Sequence, residues 1–80
     1  MSVLTDIQSI FRDILDDGTL VISAEMDAAN IEGWDSLSHI IILSSIQDHF
    51  HIEFSTKEVV GLRTVGDMVN LVKGKLSIRE

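Results

Sequence analysis

Between residues 3 and 15 the apolar side chains return every three or four positions. Val3, Ile7, Ile10 and Ile14 make one stripe, and Leu4, Phe11 and Leu15 run beside it. On a 3.6-residue repeat they gather onto one broad face, which predicts an amphipathic helix that must bury that face against other elements. The chain contains no proline and only 5% aromatic residues, which favours further helices over strands. With 80 residues and no cysteine, no disulfide supplements the packing. A core of this size supplies only about 3–5 kcal/mol, so regular helix packing has to hold the fold, and a large enzyme with a deep cleft is excluded. The expectation is one all-α domain over residues 1–80, with residues 77–80 as a frayed tail.

The first helix should stop at Asp16-Asp17-Gly18, where glycine tolerates the left-handed conformation that commonly follows a helix. Residues 18–35 then form a long connection that holds Leu20, Val21, Ile22, Met26, Ile31 and Trp34 among acids. That is too apolar for a free linker, and it reads as a loop pinned across the bundle by those side chains. Asp35 is placed to cap a second helix from Ser36 to about Phe50. Ser55-Thr56-Lys57-Glu58 reads as a capping box that opens a short helix through Val60, with Gly61 ending it. Thr64 and Asp67 repeat the signal more weakly ahead of a last helix to about residue 76, with Val65, Met68, Val69 and Val72 inward. The architecture expected is a four-helix bundle with a long loop between helices 1 and 2 and a short third helix.

Thirteen acids stand against six bases, a formal charge of −7, and residues 1–50 contain a single base, Arg12. A phosphate backbone would meet a like-charged surface, which excludes nucleic acid as a partner. Loose binding of divalent cations to the acidic loop is expected, since it relieves the chain's self-repulsion. No stretch approaches the roughly 20 apolar residues of a membrane span, and the N-terminus lacks the features of a secretory signal. The cytoplasm is the expected location. His49, His51 and Glu53 lack a matching partner cluster for a metal. Asp13, Asp16, Asp17 and Gly18 fail the calcium-loop pattern, with Leu15 and Ala24 at ligand positions. No structural metal is expected.

The second helix carries two faces. His39, Ile42, Leu43, Ile46 and Phe50 lie on one side and form its core stripe, while Leu37, Ile41, Ser44 and Asp48 lie roughly opposite. Leu37 and Ile41, flanked by Ile40, make an apolar cluster that either docks a partner or is covered by the long loop. Ser36 stands on the first turn, where unpaired N–H groups and partial positive charge would stabilise a phosphodiester formed on its Oγ. On position alone, helix capping is the simpler role. A Ser36-His39-Asp35 hydrolase is rejected, because no strand precedes Ser36 and neighbours along one helix do not form a triad. His39 reads as a partly buried side chain at the edge of the core.

The run Gly33-Trp34-Asp35-Ser36-Leu37, opening a second helix in an acidic all-α chain of this length, resembles the phosphopantetheine-attachment motif of the acyl carrier protein family. The resemblance covers nearly the whole chain. It implies that a phosphopantetheinyl transferase, using coenzyme A and a divalent metal, attaches 4′-phosphopantetheine to Ser36. The terminal thiol of that arm then holds an acyl or aminoacyl thioester, which partner enzymes load, modify and unload. The chain would be a substrate of other enzymes and not itself a catalyst. Asp35 and Leu37 match the positions flanking the serine, where capping and transferase recognition are implied. Residues 36–50 contain only Asp48 as an acid, with Ile41, Gln47 and His49 where family members carry acids. Docking should therefore lean on Leu37, Ile40 and Ile41, with Asp35 and Asp48 as the charged contributors.

The form Gly-Trp-Asp-Ser-Leu followed by Ser-His is more similar to stand-alone carriers of specialised pathways, such as polysaccharide decoration or secondary metabolism, than to the general fatty-acid carrier. A free-standing monomeric carrier is expected, not a domain of a large synthase. The rival from another class is a small helical interaction module that binds through the Leu37, Ile40 and Ile41 cluster and never carries a prosthetic group.

Overall fold

The computed structural model describes residues 2–78, and Met1, Arg79 and Glu80 lie outside them. Four helices follow in the expected order: α1 (Val3–Leu15), α2 (Ser36–Phe50), α3 (Thr56–Val60) and α4 (Val65–Ile78). α1 packs against both α2 and α4. Its apolar face behaves as the spacing predicts, with Ile7 and Phe11 fully buried and Val3, Leu4, Ile10, Ile14 and Leu15 partly buried around them. α4 buries Val65, Met68, Val69 and Val72. It continues through Ile78, two residues beyond the expected end, so residues 77 and 78 belong to the helix. None of these helices is long and apolar enough to cross a membrane.

Local hydrogen bonding decides where each helix begins and ends. Ser2 caps α1 by accepting from the Thr5 amide at 3.1 Å. The stop is Asp16, not Gly18: Asp16 takes the left-handed conformation at φ 52° and donates its N–H to the Arg12 carbonyl. Aspartate reaches that region at modest cost, so the glycine is not required there. His51 ends α2 in the same way, at φ 56°. Ser55 and Glu58 form the capping box of α3, with Ser55 N–H donating to Glu58 Oε1 at 2.8 Å. The same carboxylate receives Lys75 Nζ at 2.8 Å, which ties α3 to α4. The Lys75 hydrogen bond and the Ser55 amide hold the Glu58 carboxyl below its ordinary range. Asp67 and Thr64 cap α4 reciprocally, Asp67 Oδ2 accepting from Thr64 N–H and Thr64 Oγ1 from Asp67 N–H.

The long connection is fastened near its start and at its middle. Near α1, Arg12 Nε donates to the Leu20 carbonyl at 2.6 Å, and Gln8 Oε1 accepts from the Ile22 amide at 3.0 Å. Ile22, Ile31 and Trp34 are buried, and Leu20 and Met26 pack against the core. Val21 departs from expectation. It is exposed, while the adjacent Ile22 is buried. At its middle the loop backbone runs against the start of α4, where the Val65 amide donates to Met26 O at 2.9 Å and the Gly66 amide to Ala24 O at 2.8 Å. Two first-turn donors that an isolated helix would leave unpaired are thereby satisfied. The approach is so close that a Cβ on Gly66 would stand 2.9 Å from the Ala24 carbonyl oxygen.

Replacing Gly66 by alanine should therefore lower the unfolding free energy by about 1–3 kcal/mol, despite the better helix propensity of alanine. Gly74→Ala, whose methyl meets nothing within 4 Å, should raise it by up to about 1 kcal/mol. Urea titrations of the two variants check this, and equal effects of the same sign would rule out the close approach as the cause.

Candidate functional site

Gly33 brings the chain into α2 through φ +90°, a conformation that L side chains rarely adopt. Trp34 turns inward and Asp35 follows in extended backbone at φ −119°. The Asp35 carboxylate accepts from the Leu37 amide at 3.1 Å and the Ser38 amide at 3.0 Å, as expected of the cap. Those two amides, Ser38 foremost, hold its carboxyl below the ordinary range. The other half of the box comes from Ser38, whose Oγ accepts from the Asp35 amide at 2.8 Å and donates to Gly33 O at 2.8 Å.

With the cap built this way, Ser36 is released from it. Capping is the simpler role for a hydroxyl at that position, but Asp35 and Ser38 close the helix start between them. Ser36 Oγ is exposed and makes no hydrogen bond among the described residues. Ser38 is the residue that reading by residue type overlooks. Its signal is Asp35-x-x-Ser38, a capping box with serine where glutamate or glutamine is usual.

Below Ser36 the indole of Trp34 lies 4.9 Å from the Phe11 ring, edge to face at 89°. Its Nε1–H donates to His39 Nδ1 at 3.0 Å, and the indole and imidazole rings stack 5.8 Å apart. Indole N–H can only donate, so His39 is neutral at Nδ1 and carries its proton on Nε2. Partial burial pushes its pKa below the ordinary 6.5. Neither imidazole nitrogen bonds Ser36 or Asp35. Among the described residues no base is hydrogen-bonded to the Ser36 hydroxyl.

Beside Ser36 opens a groove of about 530 Å³ that also involves Asp27, Ala28, Trp34, His39, Leu62 and Arg63. An adjoining face of α2 is bare. Leu37 is 70%, Ile40 65% and Ile41 45% exposed, so the long loop does not cover them. Asp48 is exposed farther along the same helix. Gln47 is engaged within the fold, where its Oε1 accepts from the Phe54 amide at 2.9 Å and holds the α2–α3 connection. At the far end of α2, His49 Nε2 lies 3.8 Å from Asp6 Oδ2. Among the described residues no group of three or more His, Asp or Glu is placed to hold a metal ion.

Residues 5–72 match the protein family described as "Phosphopantetheine attachment site". Acyl carrier protein 3 of Ralstonia nicotianae is 32% identical over 78 residues, covering 98% of this chain and 90% of that one. The solution structure of a holo acyl carrier protein from Geobacter metallireducens superposes with a TM-score of 0.90 at 38% identity, covering 99% of this chain and 91% of that one. A structure from Mycobacterium tuberculosis shares the fold, with a TM-score of 0.73, 24% identity and coverage of 95% and 96%.

The Trp34–His39 bond makes the site sensitive to acid. A protonated His39 has no lone pair left for the indole, and its folded pKa lies below the unfolded one. The stabilisation is therefore complete above about pH 6.5 and is lost as the pH falls toward the folded value. Thermal melts from pH 7.5 to 5 should show a steeper fall in Tm for the native chain than for His39→Gln, whose amide oxygen still accepts from the indole. Parallel curves would show that His39 protonation does not govern this stability.

Proposed function

The chain belongs to the phosphopantetheine-attachment family of acyl carrier proteins, whose prosthetic group is 4′-phosphopantetheine, and from that membership we propose that Ser36 is the residue that receives the arm. The observation that carries the assignment is the free hydroxyl of Ser36, exposed on the first turn of α2 beside an open groove while Asp35 and Ser38 do the capping. These residues fit the group: Oγ is held by no hydrogen bond among the described residues, the residue is exposed, and there is room beside it. When bound, the arm supplies a thiol that holds acyl or aminoacyl cargo as a thioester. The chain itself supplies a rigidly presented hydroxyl, a groove alongside it, and a face for enzymes to dock on. It acts as a substrate of a phosphopantetheinyl transferase and of the enzymes that load and unload cargo.

Docking rests on Leu37, Ile40 and Ile41, which stand exposed on the turns that follow Ser36, with Asp35 and Asp48 at the margins. Because α2 offers few acids, partners are held by apolar contact more than by charge steering. The motif's Trp34 and the Ser38-His39 pair that follows Ser36 support a stand-alone carrier in a specialised pathway, such as polysaccharide decoration or secondary metabolism.

Intact mass measured after incubation with coenzyme A, magnesium and a broad-specificity phosphopantetheinyl transferase should rise by one phosphopantetheine on the native chain and stay unchanged on Ser36→Ala. No gain on the folded native chain, with the transferase active on a control carrier, favours a helical interaction module without a prosthetic group. Docking has its own readout. Ile40→Ala and Ile41→Ala together should raise the transferase KM by roughly tenfold, and the native KM should change little between low and high salt. A native KM that climbs steeply with salt would assign docking to charge instead.

A further inference from the structure

Two hydrogen-bond donors line the groove beside Ser36 with no partner among the described residues. The first is His39 Nε2–H, whose tautomer is set by the Trp34 indole on Nδ1, and which meets no acceptor among the described residues. The second is the guanidinium of Arg63. The Arg63 backbone amide donates to Asp67 Oδ2 at 3.1 Å, which holds the residue in place ahead of α4, but its side chain forms no hydrogen bond or close ion pair among the described residues. Its charge helps to hold the Asp67 carboxyl below its ordinary range.

The acids of the groove are already engaged. Asp27 Oδ1 accepts from the Ala29 amide at 2.9 Å, and the Asp35 carboxylate serves Leu37 and Ser38. Arg12, the sole base in residues 1–50, is turned away to the Leu20 carbonyl. A free guanidinium and a neutral imidazole N–H thus share one groove with the hydroxyl proposed as the attachment point.

From the Ser36 assignment, on which this inference rests, the geometry points to His39 and Arg63 as the pair that holds the phosphodiester of the prosthetic arm against the groove. His39 Nε2–H and the guanidinium donate to its non-bridging oxygens. The phosphodiester is joined directly to Oγ, whereas cargo sits at the far end of the arm, so donors that share a groove with Ser36 meet the phosphate. The need for them is electrostatic. Asp35 lies next in the chain and its carboxylate already takes two first-turn amides, so a second negative charge there is repelled unless a cation offsets it. Arg63 is the cation of the groove, and guanidinium suits phosphate oxygens. Both residues are positioning residues. They hold the root of the arm on the groove side of α2, where Leu62 and Ala28 also lie, and leave the docking face clear.

The test follows the three histidines by NMR titration in the apo and holo proteins, with complete conversion verified by mass. His39 should gain about half a pKa unit or more on conversion, because an anion beside Nε2 favours the imidazolium. Asp27, Asp35 and Arg63 are the charged groups that share the groove. His49 and His51 should not move, since His49 lies ten residues further along α2, roughly 15 Å away. In Arg63→Gln the gain at His39 should at least halve and the ³¹P line should narrow as the arm gains freedom.

Full conversion with His39 unmoved overturns this inference and leaves the Ser36 assignment standing. No conversion overturns both. An undiminished His39 gain in Arg63→Gln removes Arg63 from the pair and overturns the proposal as stated.

Discussion

The indole of Trp34 joins the core of this protein to its surface chemistry. One edge of the ring system packs against Phe11 on α1, a contact worth about 0.5–1.5 kcal/mol beyond its buried area. The N–H on the same ring reaches His39 on α2. Because Trp34 precedes Asp35 directly, the burial that secures the indole also sets where the cap of α2 stands and how Ser36 is presented. A helix start exposed to water frays easily, and this one is anchored from below.

From that anchor the two sides of α2 diverge in role. Asp35 and Ser38 close the helix start on each other, which leaves the hydroxyl between them uncommitted. Toward α4 lies a groove with a tautomer-fixed imidazole and a free guanidinium. Away from it lie Leu37, Ile40 and Ile41, exposed although a long apolar loop was available to cover them. That loop is engaged elsewhere. Its carbonyls at Ala24 and Met26 complete the first turn of α4, and Gly66 permits the approach. The acid-poor face of α2 is thus left open by the same bonding that closes the far side of the molecule.

Much of the fold was legible in the residues because it depends on local periodicity and capping chemistry. The stripe on α1, the inward set of α4 and the Ser55–Glu58 box all came out as their spacing implied. Where reading by residue type failed, an interchangeable residue filled the position. Asp16 took the turn assigned to Gly18, and Ser38 took the cap position usually held by Glu or Gln. Val21 showed that apolar character in a loop does not say which of two adjacent residues turns inward.

What this chain determines by itself is the set of helices, the faces they bury and the motif around Ser36, since each follows from spacing along a few turns. Which side of α2 stays bare, which nitrogen of His39 carries the proton, and which cation shares a groove with Ser36 were decided only by tertiary structure. Those outcomes join residues far apart in sequence, Ala24 to Gly66, Phe11 to Trp34 and Ser36 to Arg63. No local pattern encodes such pairings, because they exist only after the loop and the helices have packed.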